Sequence, residues 1–573
     1  MNIDVTVTIG GAAGQGIQTV GDLLAGVCHR AGLYLMVIND FESRIRGGHS
    51  FMQLRICDEP VTAPDDRNHL LVALNRESLD RHADQLFQGG RILKEVESNV
   101  GAGEEGNVVD VGFTKLAEDA GGKIMINTVA AGAALGMLGA PAALVDQVIE
   151  EAFGGKSQSV VENNKKAAKS GFDAVADIPF DWKFDWPARG PQGKMLSGAQ
   201  ALALGALAAD CRVAAFYPMS PATGILVHMA QFMDRFPLVV EQAEDEIAAI
   251  NIAIGASFAG VRALTGTSGG GFSLMVEGIG LAGITETPLV VINAQRPGPA
   301  TGLPTRTGQG DLHFVIHAAP DEFPRFVFAP RTLDEAFETV IRSFHLAEKY
   351  QVPAIVLVDQ YFTDSLSIAS EQWRIPESIE RFLVSDADME DPAGYKRFAI
   401  TDSGVSPRAV PCAGKARVMV TGNEHREDGH LSETISDRNG QVDKRSRKML
   451  HMAEEMRGPE AIFPDARLLL VTWGSTDGVV REAVNRLRSE NYDVGAVFFS
   501  DIWPFPASQA AAALSGCGHF ITVELNTSSQ LGGLIRRHTG LDAASAIVQY
   551  DGRPMRRHSV VTKTKQFMEG ANG

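Results

Sequence analysis

The sequence predicts an α/β protein built from successive open layers of parallel strands. Two observations carry this. Short apolar runs of strand length alternate along the chain with helix-patterned segments, at residues 70–74, 289–292, 354–358 and 468–472 among others. Glycine-containing turns stand between strand and helix at residues 10–16, 265–272 and 473–476, as strand-to-helix crossings require. At 573 residues the chain is also too long for a single core.

The elements follow in order. Residues 4–9 form a first strand, which feeds the turn Gly10-Gly11-Ala12-Ala13-Gly14-Gln15-Gly16 and a helix from about Ile17. Buried strands are expected at residues 70–74 and 123–126. Residues 179–191 hold three prolines and two tryptophans, cannot continue a helix, and read as a linker. A Gly/Ala-rich helix then runs from near Lys194 to Ala209, followed by strand–helix alternation to about Asp359. Residues 424–457 are dense in charge, with 15 of 34 being Asp, Glu, Lys or Arg, and read as a solvated insertion or connector. The last block has a strand at 468–472, a helix from Gly478 to Glu490 and a strand at 519–524. Domains are therefore expected at residues 1–185, 194–400 and 461–573, with a charged connector at 401–460.

Composition narrows the function classes. Hydrophobic residues make up 45% and charged residues 21%, as in an ordinary soluble chain. A net charge of −18 without any polybasic tract argues against nucleic acid as a partner. The longest apolar runs, such as residues 129–138, are too short and too rich in Gly and Ala to span a bilayer. The five cysteines are scattered and form no CxxC, so neither a disulfide framework, a zinc ribbon nor a cysteine-ligated cluster is expected. The opening strand leaves no room for a signal peptide, and a cytoplasmic location is expected.

Six segments carry candidate chemistry. The turn at residues 10–16 follows a strand and opens a helix, where backbone N–H groups approach anions. Its glycines, Gly10, Gly11, Gly14 and Gly16, do not follow the dinucleotide order GxGxxG, and no P-loop lysine follows. A tight turn without ligand is an equal reading. Arg44 and Arg46 beside Gly47-Gly48 suit bidentate phosphate binding or simple solvation. Tyr217-Pro218-Met219-Ser220-Pro221 holds a hydroxyl between two prolines, as an oxyanion donor or an ordinary turn. Glu241, Glu244, Asp245 and Glu246 gather at a helix start, where capping accounts for acids. Glu246 alone abuts the apolar run Ile247-Ala248-Ala249-Ile250, so its burial requires a partner such as a cofactor nitrogen. Residues 265–272 form a glycine loop, open to a planar ring or to a tight crossover. Arg296 leaves the carboxyl edge of the strand at 289–292, where α/β sheets bind ligands, although a salt bridge would also explain it. His425 and His430 match no standard metal spacing, so no metal site is expected.

Together these motifs resemble the alpha subunit of 2-oxoacid:ferredoxin oxidoreductases, in the form that carries a gamma domain at its N-terminus. Among these, 2-oxoglutarate:ferredoxin oxidoreductase (2-oxoglutarate synthase) is the most similar in appearance. The resemblance spans nearly the whole chain. It rests on residues 11–16 and 43–48 for the gamma domain, and on residues 217–223, 245–249 and 295–298 for a pyrimidine-binding domain. Gly302-Leu303-Pro304-Thr305 with Gln309-Gly310-Asp311-Leu312 is its most specific piece. Glu524-Leu525-Asn526 and Gln530-Leu531-Gly532 are similar to a transketolase C-terminal-type domain.

The resemblance implies roles. Glu246 would hold the aminopyrimidine of thiamine diphosphate. Arg296 and Thr305 would contact the 2-oxoacid carboxylate, with Ser220 close by and Tyr217 and Pro218 on the cofactor side. Gly14, Gln15, Gly16, Ser43, Arg44 and Arg46 would bind coenzyme A. No GDG run with a following Asn and no cysteine set is present. The resemblance therefore implies a beta subunit that carries the diphosphate site, Mg²⁺ and a [4Fe-4S] cluster, in an (αβ)2 heterotetramer reducing ferredoxin. Pyruvate or a branched-chain 2-oxoacid remains open as substrate, as does a non-catalytic scaffold.

Overall fold

The computed structural model describes residues 3–41, 48–95, 107–370 and 372–570. The chain divides into two compact units. One comprises Met1–Leu196 with Ser365–Glu371 and Arg556–Ser559, and the other Ser197–Asp364, Gln372–Met555 and Val560–Gly573.

The first unit is an eight-stranded sheet with helices packed on it. In spatial order its strands are Val108–Asp110, Leu86–Lys94, Asn68–Ala73, Asp4–Ala12, His49–Cys57, Tyr34–Phe41, Leu366–Ala369 and Lys194–Ser197. The first four run parallel. From Asp4–Ala12 onward the pairing with His49–Cys57, Tyr34–Phe41 and Leu366–Ala369 is antiparallel. Residues 42–48 are too few for the crossover that a parallel neighbour needs.

The strand expected at residues 123–126 is not one. Lys123–Met125 is a 3-10 turn and Ile126–Leu138 a helix, with Ile124 83% exposed. Four apolar residues do not separate strand from helix. The run continues into alanines, the best helix formers, after Gly121-Gly122 has closed the preceding helix. The linker at residues 179–191 lacks helix and strand but is tied down. Trp182 Nε1 donates to Gln88 O at 3.1 Å and Trp186 Nε1 to Leu138 O at 2.9 Å.

Trp182 also lies edge-on to His69, with ring centroids 4.2 Å apart. His69 is fully buried and accepts the Thr6 backbone N–H at Nδ1, 2.9 Å away. Burial first, and the nearby Arg67, push its pKa down to about 4 from the ordinary 6.5. The folded state thus disfavours the charged imidazole, while the unfolded chain protonates near 6.5. Stability is full above that value and is lost as pH falls from 6.5 through 4. By pH 5 the loss is about 2 kcal/mol. A His69→Asn variant, which keeps an acceptor but cannot charge, should show a smaller acid loss in hydrogen exchange of strand Asp4–Ala12. An equal loss would contradict this account.

The second unit holds two sheets over one shared core. A seven-stranded sheet runs Asp501–Trp503, Phe326–Phe328, Pro353–Asp359, Leu289–Gln295, Ala263–Thr267, Val213–Phe216, Val239–Gln242. All its pairs are parallel except that of Asp501–Trp503. A five-stranded sheet runs Glu460–Ile462, Val494–Phe499, Leu468–Trp473, His519–Glu524, Ser545–Val548, parallel except at Glu460–Ile462. Ile355 and Leu357 of the first sheet share the core with Val471 and Phe499 of the second.

The charge-dense segment at residues 424–457, read as a solvated insertion or connector, is exposed over much of its length but not throughout. It contains the helix Ile435–Glu454, in which Lys444 and Lys448 are both 0% exposed. Both reach the buried Glu286, Lys444 at 2.6 Å and Lys448 at 2.5 Å. Burial, against the pull of Glu286, lowers Lys444 to about 8. The two lysines stand one helical turn apart on one face, and their partner lies far away in sequence, where a local pattern cannot reveal it. Among the described residues no single helix is long and apolar enough to cross a membrane.

Candidate active site

The chemistry-bearing residues of the second unit meet at the carboxyl ends of its central strands, where parallel sheets open to ligands. Helix Glu246–Phe258 starts there, and Asp245 caps it, its carboxylate accepting the Ala248 N–H at 2.7 Å. Capping therefore falls to Asp245, and Glu246 is free for another role. Glu246 is 2% exposed. The Thr267 hydroxyl, at the end of strand Ala263–Thr267, donates to its Oε1 over a long 3.5 Å.

Gly271 makes this arrangement possible. A Cβ there would stand 2.0 Å from Thr267 Oγ1 and 2.4 Å from Glu246 Oε1. Helix Gly269–Ile284 thus begins on three glycines so that its backbone passes beside a buried carboxylate. Gly271→Ala should displace the Glu246 and Thr267 side chains, and a crystal structure of the variant would show them moved. Unmoved side chains would contradict the arrangement.

Arg296 follows strand Leu289–Gln295 and is held by Ser220, whose backbone carbonyl accepts from Nη1 at 2.8 Å. The carbonyl, rather than the hydroxyl, makes this contact. Burial lowers the Arg296 pKa, and the Glu246 carboxylate partly offsets that. Arg296 Nε is buried without a hydrogen-bond partner among the described residues, and so are Ser268 Oγ and Asn293 Oδ1. Buried polar atoms left unmatched are costly, and a ligand is one reason for them. Tyr217 and Pro218 line the turn after strand Val213–Phe216, and Met219 Sδ accepts from Thr267 Oγ1 at 3.7 Å. Thr305 stands half-buried on the same loop as Arg296.

The structure thus groups Glu246, Arg296 and Ser220. It adds Asn293, which the reading of the sequence did not mark, and picks out Thr267 and Gly271 within the glycine loop at 265–272 and Asp311 within the run 309–312. Asn293 pairs in register with Thr267, and its Nδ2 donates to Asp311 Oδ2 at 3.2 Å. A threonine ending a strand reads locally as a strand former, so only the register marks it.

In the first unit, Gly14 and Gly16 adopt φ of 91° and 82°, the left-handed region that favours glycine. Gln15 folds back, its Oε1 accepting Ala12 N at 2.6 Å and Asn75 Nδ2 at 3.3 Å. Helix Ile17–Ala31 starts from this turn. Ser43, Arg44 and Arg46 lie outside the described residues. His425 is buried with its ring 3.8 Å from that of Phe398, whereas His430 is exposed beside Asp428. The two histidines do not converge, and among the described residues no His, Cys, Asp and Glu cluster is arranged for a metal.

A buried carboxylate at a glycine-opened helix start, with an arginine beside it, suits an ionisable ring and a small anion. Fold and site together are those of an α/β protein that takes ligands at the carboxyl ends of its strands. Residues 204–444 match the family described as pyruvate flavodoxin/ferredoxin oxidoreductase, thiamine diphosphate binding. Residues 6–174 match pyruvate ferredoxin/flavodoxin oxidoreductase, and 466–560 match pyruvate:ferredoxin oxidoreductase core domain II. A 2-oxoacid:ferredoxin oxidoreductase subunit alpha from Sulfolobus sp is 33% identical, over 96% of this chain and 94% of the relative. A 2-oxoglutarate oxidoreductase subunit KorA from Mycobacterium tuberculosis is 30% identical, over 88% and 83%. A solved structure of 2-oxoglutarate:ferredoxin oxidoreductase from Magnetococcus marinus, with 2-oxoglutarate, coenzyme A and succinyl-CoA bound, superposes with a TM-score of 0.92. It is 29% identical and covers 99% of this chain and 100% of that one. The chain belongs to the alpha subunits of 2-oxoacid:ferredoxin oxidoreductases.

Proposed function

We propose that the chain is the alpha subunit of a 2-oxoglutarate:ferredoxin oxidoreductase. The reaction interconverts 2-oxoglutarate, coenzyme A and two oxidised ferredoxins with succinyl-CoA, CO2 and two reduced ferredoxins. The observation that carries the chemistry is the buried Glu246 beside Arg296, whose Nε has no hydrogen-bond partner among the described residues. The choice of 2-oxoglutarate is supported by the names of the relatives and of the solved structure.

The residues present fit thiamine diphosphate. Glu246 is buried beside Arg296, and Ser268 Oγ and Asn293 Oδ1, buried and unmatched among the described residues, offer polar atoms. When bound, the cofactor supplies a nucleophilic carbon and an electron sink for decarboxylation. Glu246 would hold the pyrimidine ring and exchange a proton with it, its burial keeping water from competing. Tyr217 and Pro218 would lie on the cofactor side. Arg296 pairs with the carboxylate of the 2-oxoacid, oriented by the Ser220 carbonyl, with the Thr305 hydroxyl nearby. Gly14, Gln15 and Gly16, with Ser43, Arg44 and Arg46, take the phosphates of coenzyme A.

Half of such a cofactor site must come from another chain. Ile247, Ile252 and Leu274 are exposed on the two apolar helices that start at the site, and Phe314, packed edge-on against Phe272, is exposed as well. Apolar side chains left outside in this way suit a protein partner. We assign the face to a beta subunit carrying the diphosphate site, Mg²⁺ and the [4Fe-4S] cluster, in a cytoplasmic (αβ)2 assembly that passes electrons to ferredoxin. The matched family descriptions are worded for pyruvate, which supports the same chemistry on pyruvate as a second reading. The test is methyl viologen reduction by the αβ complex, kept anaerobic, with coenzyme A and a panel of 2-oxoacids. Preference for 2-oxoglutarate is expected. Preference for pyruvate would overturn the substrate and leave the mechanism, and no turnover by a cofactor-loaded complex would favour a scaffold.

A further inference from the structure

Residues 296–311 carry Arg296 and Thr305 and contain neither helix nor strand. What holds them is a set of buried hydrogen bonds. The loop is closed at its base, where Asp311 N donates to Gln295 Oε1 at 2.9 Å. At Thr307 it is fastened twice, by its N–H to Gly552 O at 3.1 Å and by Tyr361 N donating to its hydroxyl at 3.2 Å. The densest fastening is at Gln309, which is 0% exposed.

Four polar groups of Gln309 are engaged, with Trp473 at the end of one strand of the five-stranded sheet and with Leu525 and Asn526 just past the end of another. Its N–H donates to Leu525 O at 2.8 Å, and Leu525 N donates back to its Oε1 at 3.0 Å. Its Nε2 donates to Trp473 O at 2.9 Å, and its carbonyl accepts from Asn526 Nδ2 at 3.2 Å. Its partners are themselves fixed by one buried carboxylate. Glu524 accepts from Trp473 Nε1 at 3.1 Å, from Asn526 Nδ2 at 2.8 Å and from Leu531 N at 3.0 Å. A satisfied buried network of this kind rigidifies what it joins.

We infer that Gln309 is a positioning residue for the 2-oxoacid. Through it the five-stranded layer, organised by Glu524, sets where the Arg296 loop stands and so how well the substrate carboxylate is bound. The inference rests on the proposed role of Arg296. It gives the last sheet, which supplies none of the candidate catalytic groups, a task in substrate binding.

The test uses the cofactor-loaded αβ complex. Gln309→Met keeps the length of the side chain and removes both side-chain bonds. Asn526→Ala removes the bond to the Gln309 carbonyl, one to Glu524 and the one its Oδ1 accepts from Ser528 N. Both should raise KM for the 2-oxoacid, Gln309→Met by about 10- to 100-fold, since small misplacements of a positioning group have effects of that size. KM for coenzyme A should stay at the wild-type value, and kcat should change less than KM. The two substitutions should couple in a double-mutant cycle. Backbone hydrogen exchange should rise at residues 303–309 in both variants. A purely structural role would instead lower the active fraction at unchanged KM, and that result would overturn the inference. So would faster exchange in the loop at wild-type KM, provided that Arg296→Ala raises KM in the same assay. Wild-type KM in all three variants would place the failure in the reading of Arg296 itself.

Discussion

Glu246→Gln in the assembled enzyme is expected to lower kcat by about 10²- to 10⁴-fold, the range that a positioned acid–base group contributes. The substitution is nearly isosteric and keeps an oxygen for the Thr267 hydroxyl, which now reaches Glu246 Oε1. It should leave the helix intact, because Asp245 supplies the cap. What it removes is the negative charge and the ability to take and return a proton. The measurement is kcat at saturating 2-oxoacid, with assembly and melting temperature followed in parallel. A kcat within about threefold of wild type, in a complex of wild-type stability, would take Glu246 out of the chemistry.

Arg296→Ala is expected to lower kcat/KM for the 2-oxoacid by at least about 100-fold. The effect has two parts. The substrate carboxylate loses its cation, and Glu246 loses the positive charge that its own carboxylate now feels. Arg296→Lys should restore only a fraction, because lysine has no counterpart of the unpartnered Nε and no planar fork. Ser220 holds Nη1 through a backbone carbonyl, so Ser220→Ala should be far milder than either. An unchanged kcat/KM in Arg296→Ala would remove the arginine from the site.

Much of this site is legible in the residues themselves. Glu246 stands out from its acidic neighbours because an apolar run follows it, and the structure gives the cap to Asp245 and the burial to Glu246. Arg296 is marked by its place after a buried strand in an α/β alternation. Legibility fails where a partner is distant in sequence. Thr267 and Asn293 become neighbours only through strand register. Lys444 and Lys448 look like a solvated charge run until Glu286 meets them from another element. Gln309 belongs to a recognisable motif, but its work is done by Trp473, Leu525 and Asn526, more than 160 residues on. Residues 123–126 fail for a different reason. A four-residue apolar run fits both periods, and the alanines beyond it decide for helix.

The most direct measurement is reconstitution from separately purified alpha and beta chains under anaerobic conditions. Methyl viologen reduction is followed with coenzyme A and 2-oxoglutarate. Neither chain alone should turn over, the mixture should, and a mixture made with Glu246→Gln should assemble but turn over at least about 100-fold more slowly. Turnover by the beta chain alone, or full activity with the Gln variant, would contradict the claim that this chain supplies half of the active site.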